Sequence, residues 1–313
     1  MENFNLYAIS PVDGRYAVST VHLRDYFSEF ALMKYRLKIE ITWLIFFLRI
    51  VKIFKITDTD IIQIKKILLN FDFEQAKQIK KIEIKCQHDV KAIEYYLREK
   101  LSQQEQNKKL IPLIHICCTS ADINNLAYAC ILKDSRKQVL LPKLEEVLKK
   151  LTNLAQEYAN VTMLGRTHGQ VATPTTFGKE ISIFQYRLKQ QIKIINRIHI
   201  RGKFNGTTGN YNAHKLAWQN LDWLQISKDF VTSFSLEWTS HSTQVESGDY
   251  ISELLHAMIR CNNIFIDLCQ DFWLYNSYNY LQSKVIADQV GSSVMPHKVN
   301  PINFENAESN FGI

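Results

Sequence analysis

Two short stretches hold most of the side chains that could do chemistry. Arg166-Thr167-His168-Gly169-Gln170 sets an imidazole among groups able to orient its ring or bind an anion. A positioned histidine is the commonest acid or base in catalysis and contributes ~10²–10⁴-fold. Gly291 to Pro301 (GSSVMPHKVNP) opens with the hydroxyl pair Ser292-Ser293, stiffens at Pro296, and crowds His297, Lys298, Val299 and Asn300 together. Neither stretch repeats at a helical or strand period, so both read as ordered loops carrying function.

Five further clusters could hold a ligand. Cys118-Thr119-Ser120-Ala121-Asp122 has the spacing of a capping box, and a Thr-Ser pair at a helix start is also an anion site. Gln87-His88-Asp89 begins a second helix, with Asp89 at its positive end. Gln244 precedes a long helical stretch, where its amide could read a carboxylate or a base. Ser10-Pro11-Val12-Asp13-Gly14-Arg15-Tyr16 is a turn followed by an arginine, whose fork suits phosphate, and a tyrosine, which suits a base or ribose face. Lys203 to His214 (KFNGTTGNYNAH) is a tight glycine turn able to approach a ligand closely; it has no preceding strand and no third glycine, so it is not a dinucleotide fingerprint.

Long helices must position these groups. Only 10 Gly and 6 Pro occur in 313 residues, and apolar residues recur at three- and four-residue spacing. Helices are expected from about Phe27 through Ile41, over Leu126–Ala159 with Pro142 bending or restarting it, over Pro174–Ile200 behind a Thr173-Pro174 cap, and over Tyr250–Leu281. Gln103–Lys109 reads as an exposed connector. No strand pair with turn signals and no βαβ alternation is visible, so the class is all-α.

The net charge of +7 is spread along helical faces without a basic arm or an RNA-binding aromatic pattern, which argues against nucleic acid. The most apolar stretch, Ile39–Phe54, is broken by Glu40, Arg49 and Lys52, too short for a membrane span. The first residues lack a secretory pattern, and a cytoplasmic protein is expected. The 6 cysteines have no metal spacing and read as reduced thiols.

The order GSSVMPHKVNP resembles the signature loop of the fumarase/aspartase superfamily, whose members release fumarate by β-elimination. SPVDGRY, HDVKAIEYYL, RTHGQ and the KxNGxxGNYNAH turn resemble the branch acting on succinylated purine nucleotides, in the same order from Ser10 to the last residue. The resemblance implies a fumarase/aspartase-like fold: a smaller N-terminal helical domain over residues 1–115 and a central long-helix bundle over 116–313. It implies fumarate loss from adenylosuccinate, giving AMP, and from the succinyl-carboxamide ribotide of purine synthesis. His168 would be the acid that protonates the leaving nitrogen. Ser292 would be the base, activated by Lys298 and backbone N–H groups in a closed, dry site. Arg15, Tyr16, Gln87, His88, Asp89, Thr119, Ser120, Gln244, Ser293, Lys298, Val299, Asn300 and Asn306 would hold phosphate, base and carboxylates. No metal or organic cofactor is implied, and the assembly would be a homotetramer.

Two departures stand out. Gln87 occupies a position where the family has Asn. The family continues past Ile313 with the end of the bundle and a small C-terminal domain, so a chain lacking its C-terminal part is expected. The alternatives are a silent remnant or scaffold of the same family, or the argininosuccinate-splitting and fumarase branches, against which SPVDGRY argues.

Overall fold

A computed structural model describes residues 6–283, 294–295 and 299–313. In chain order the helices α1 (Arg24–Phe27), α2 (Glu29–Val51), α3 (Asp58–Leu69), α4 (Phe73–Cys86), α5 (Asp89–Ser102), α6 (Ser120–Ser135) and α7 (Leu141–Glu157) come first. The hairpin strands β1 (Thr162–Thr167) and β2 (Gln170–Thr176) follow, then α8 (Phe177–Arg197). Next are β3 (Arg201–Gly202), α9 (Asn212–Ala217), α10 (Trp223–Thr232), β4 (Glu237–Trp238), α11 (Asp249–Ser277) and α12 (Ile302–Phe311). The fold is mainly helical. No helix among the described residues is long and apolar enough to cross a membrane.

The chain forms two compact units, Met1–Val139 with His199–Gly248, and Leu140–Ile198 with Asp249–Ile313. This partition differs from the division after residue 115. Residues 199–248 return to the first unit, where β3 pairs in parallel with β4 and Asn125 of α6 receives the Lys203 N–H at 2.8 Å.

In the first unit, Ser28 caps α2 by accepting the Ala31 N–H, and the helix ends where Lys52 turns left-handed at φ 55°. Phe27 lies before this cap, in α1, and is exposed. Leu37, Ile39, Trp43, Leu44 and Leu48 are buried, so the apolar face of this stretch is spent on the core. Trp43 is the hub: its ring lies 4.3 Å from Phe204 and 5.0 Å from Phe230, and its N–H donates to the Ile116 carbonyl at 2.9 Å. Truncating such a buried indole costs about 3–5 kcal/mol. The segment just ahead of Thr119 is thereby tied to the core.

In the second unit, α7 and α8 pack together at the base of the hairpin. Gly178 permits it, since a Cβ there would lie 2.4 Å from the Ala155 carbonyl oxygen. Phe272 of α11 stacks on Phe304 of α12 at 4.9 Å, and Phe265 on Phe311 at 4.8 Å.

Several boundaries differ from those expected. The stretch Leu126–Ala159 is divided: α6 starts at Ser120, a π-helical turn covers Arg136–Leu140, and Pro142 sits in the first turn of α7, where its missing N–H costs nothing. Thr173-Pro174 is not a helix cap but part of β2. Thr176 caps α8 instead, accepting the Lys179 N–H at 3.2 Å. The Thr and Pro residues favour extended backbone on an unpaired strand edge, and this outweighed the cap signal. The α11 helix ends at Ser277, short of Leu281. Gln103–Lys109 leads into a 3-10 turn over Glu105–Leu113, in which Asn107 is buried and donates to Gln104 at 2.8 Å. The six cysteines are free, with Cys130, Cys261 and Cys269 buried.

Candidate active site

His168 lies at the tip of an antiparallel hairpin rather than in a loop leading into a helix. Thr167 pairs with Gln170, leaving His168 and Gly169 as a two-residue turn with φ 51° and 72°. Two positive φ values are the pattern of a type I′ turn, whose twist matches that of its strands. Gly169 adopts this backbone freely and His is among the residues that tolerate it. The backbone of the turn therefore sets His168 on an exposed tip.

The register slips between Leu164 and Arg166, where Gly165 has the Thr173 carbonyl oxygen 2.6 Å from where a Cβ would be. Such a bulge re-aims the next side chain. Arg166 spreads over the Tyr278 ring, 4.7 Å from its centroid, while Nη1 donates to the Gly169 carbonyl at 3.2 Å and Nε approaches the Tyr280 hydroxyl at 3.4 Å. Arg166, Thr167, Gly169, Tyr278 and Tyr280 line one hollow with Asp271 and Glu180.

In the first unit a second constellation forms at the start of α6. The Thr119 N–H donates to Asp122 Oδ2 at 3.0 Å, as the box spacing predicts. Asp122 is fully buried and does more than cap. Its oxygens also accept the Asn205 N–H and the Gly206 N–H, each at 3.1 Å, and Oδ1 lies 2.8 Å from Nζ of Lys203, also fully buried. Here the glycine turn is explained. Gly206 has φ 80°, and Gly209 has the Ser242 carbonyl oxygen 2.1 Å from a would-be Cβ. The Asn205 amide donates to the Ser242 hydroxyl at 2.7 Å. Ser242 so placed brings Gln244 to α6, where its amide donates to the Thr119 hydroxyl at 3.0 Å. A hydroxyl that accepts from an amide keeps its own proton to donate. Ser120, half-buried, opens the helix beside it.

Gln87, His88 and Asp89 line one open hollow with Glu83 and Ile84. Gln87 closes α4 at φ 51° and is exposed. His88 caps α5, its Nδ1 accepting the Lys91 N–H at 3.2 Å, which leaves Nε2 to carry a proton. Burial would lift the Asp89 carboxyl, but the Arg36 guanidinium at 2.5 Å and the Val90 N–H hold it below the usual carboxylate range. Arg15 is exposed and Tyr16 half-buried on the turn closed by Gly14 N–H to Ser10 carbonyl at 3.0 Å. In the second unit Val299 and Asn300 are half-buried ahead of α12, and Asn306 lies on that helix, accepting from the Asn310 amide at 2.9 Å. Ser292, Ser293 and Lys298 lie outside the described residues.

No motif marks His115 or the Lys203 side chain, yet both carry a buried charge contact. His115 is left-handed at φ 58°, four residues before Thr119, and pairs with the buried Glu40 at 2.6 Å. Burial opposes its charge, yet the Glu40 contact raises the imidazole above its ordinary value. The available signal was a histidine and a lysine in apolar surroundings. Among the described residues, no three His, Cys, Asp or Glu side chains gather as a metal site.

A family model described as lyase matches residues 14–311. Across the whole chain, identity is 47% with the adenylosuccinate lyase of Buchnera aphidicola subsp. Schizaphis graminum, 44% with that of Haemophilus influenzae and 43% with that of Escherichia coli K12. The chain belongs to the adenylosuccinate lyase family. It spans 69% of the length of each of these three relatives. Among solved structures, the 3-carboxy-cis,cis-muconate lactonizing enzyme of Pseudomonas putida aligns over 93% of this chain and 63% of its own, with TM-score 0.72 and 15% identity. The beta-carboxy-cis,cis-muconate cycloisomerase of Acinetobacter calcoaceticus aligns over 82% and 57%, with TM-score 0.66 and 17% identity. At that identity the two share the fold of the family and nothing finer.

Proposed function

We propose that this chain is the carbon–nitrogen lyase of its family, splitting adenylosuccinate into AMP and fumarate and removing fumarate likewise from the succinyl-carboxamide ribotide of purine synthesis. The observation that carries the reading is identity of 43–47% with curated adenylosuccinate lyases along the full chain. In the reaction, Ser292 removes a β-proton from the succinyl group. The C–H electrons form the double bond of fumarate, the C–N bond breaks, and His168 protonates the departing nitrogen. An amine leaves poorly unprotonated, which is the reason for an acid at this point.

The exposed hairpin tip supports the role of His168, because an acid must reach a substrate atom. Thr119 and Ser120 suit a substrate carboxylate: the start of α6 offers its positive end, and the Thr119 hydroxyl, polarised by Gln244, has a proton to give. His88 and Asp89, on the hollow they share with Gln87, belong to the same substrate set. Arg15 and Tyr16 are assigned to phosphate and base, and Ser293, Lys298, Val299, Asn300 and Asn306 to the rest of the substrate. A homotetramer in the cytoplasm, with a small-molecule nucleotide as ligand, completes the proposal.

Fumarate release from adenylosuccinate, followed by absorbance, tests the reading with His168→Ala as the blank. Turnover above the blank is expected. A folded sample that releases fumarate no faster than the blank would sink it.

A further inference from the structure

We infer that Tyr278 and Tyr280, acting through Arg166, are positioning residues for His168; this rests on His168 being the acid of the proposed reaction. A two-stranded hairpin is marginal on its own, and here its reactive group stands at the exposed tip. Displacing a catalytic group by 1 Å can cost about 10²-fold. Something outside the hairpin must fix the tip.

Arg166 makes that connection. The bulge at Gly165 turns it toward the segment following α11, where the Tyr278 ring meets the face of its guanidinium at 4.7 Å. Its fork then grips the tip, donating to the carbonyl of Gly169, the residue bonded to His168, at 3.2 Å. The Tyr280 hydroxyl lies 3.4 Å from both Arg166 Nε and the Leu164 carbonyl, on the two sides of the bulge. Those two contacts are long for hydrogen bonds, so the stack on Tyr278 and the bond to Gly169 carry most of the restraint. Tyr278 and Tyr280 are 6.0 Å apart, and Tyr280 rests 6.2 Å from Tyr275 in the last turn of α11. The tip is thus referred back to a long helix through two aromatic rings. A guanidinium already engaged by a ring and a carbonyl is an anchor, and the charge beside His168 is read here as scaffold rather than as a substrate ligand.

Two measurements on the full chain test this. Amide hydrogen exchange at Thr167–Gln170 reads the tip directly, and steady-state fumarate release reads its consequence. Tyr278→Leu, which removes the ring face, is expected to speed tip exchange ~2–5-fold and to lower kcat ~10-fold with KM nearly unchanged. Tyr278→Phe keeps the face and is expected to restore both. Unchanged exchange along α7 and α8 reports an intact fold. Wild-type tip exchange and wild-type kcat in Tyr278→Leu would overturn the inference, as would an equal defect in Tyr278→Phe. A wild-type chain that releases no fumarate removes the functional reading, and the exchange arm then decides the clamp alone: faster exchange supports it, unchanged exchange overturns it.

Discussion

The Gln244 amide donates to the Thr119 hydroxyl at 3.0 Å across 125 positions of sequence. This contact makes Thr119 a directed donor. Its oxygen accepts from the amide, so its own proton remains to be donated, at a helix start where an anion is favoured. Thr119→Val keeps the shape and removes the proton. Loss of one hydrogen bond to a charged group predicts a KM for adenylosuccinate raised ~10-fold or more, with a smaller change in kcat. Steady-state kinetics check this, and an unchanged KM would remove Thr119 from the substrate set.

His168→Asn separates chemistry from fold. Asn-Gly is a favoured type I′ pair, so the hairpin keeps its turn. The variant is expected to unfold at the wild-type urea concentration while kcat falls ~10²–10⁴-fold. Wild-type turnover in a folded His168→Asn protein would end the assignment of the acid.

Lys203→Met leaves the carboxylate of Asp122 buried without its cation. Breaking a buried pair from one side costs about 3–5 kcal/mol. Equilibrium urea unfolding is expected to show a loss of that order, and a loss under about 1 kcal/mol would mean the N–H groups of Thr119, Asn205 and Gly206 satisfy Asp122 by themselves.

His214 provides a pH signature. Burial pushes its imidazole down from 6.5 to about 4, with the Asp122 charge opposing the shift. Between those values the native state binds fewer protons than the unfolded chain. Its stability is therefore complete above pH 6.5 and declines as pH falls toward 4, by roughly 3 kcal/mol in all. The urea midpoints of His214→Phe at pH 7 and pH 4.5 should differ less than those of the wild type. Equal differences would exclude His214 as the source.

The helical class was legible because scarce glycine and proline and a three-to-four spacing are local signals. So was the box at Thr119 and Asp122, four adjacent residues whose bonding depends only on a helix start. The hairpin was not. His-Gly is a rarer turn signal than Asn-Gly, and Thr173-Pro174 carries an equally good cap signal, so the strand at Gln170–Thr176 emerged only through its pairing with Thr162–Thr167. The tasks of Asp122 and Lys203 were likewise hidden. A capping aspartate looks the same whether or not an amide 84 positions on comes to share it. Sequence pattern reports the period of an element, and tertiary partners at long separation leave no period.

That long separation has a consequence for biosynthesis. Asp122 leaves the ribosome 84 residues ahead of Gly206, and residues 140–198, emerging between them, belong to the other compact unit. At about 5–20 residues per second the nascent carboxylate waits roughly 4–17 seconds for the amides that complete it. Through that interval the tip of α6 is a solvated helix start with no fixed Gln244 beside it. The corner where Gln244 meets Thr119 therefore closes long after α6 has emerged, and any ribosomal pause between Asp122 and Gln244 lengthens the time this face of the chain is open to chaperones and proteases.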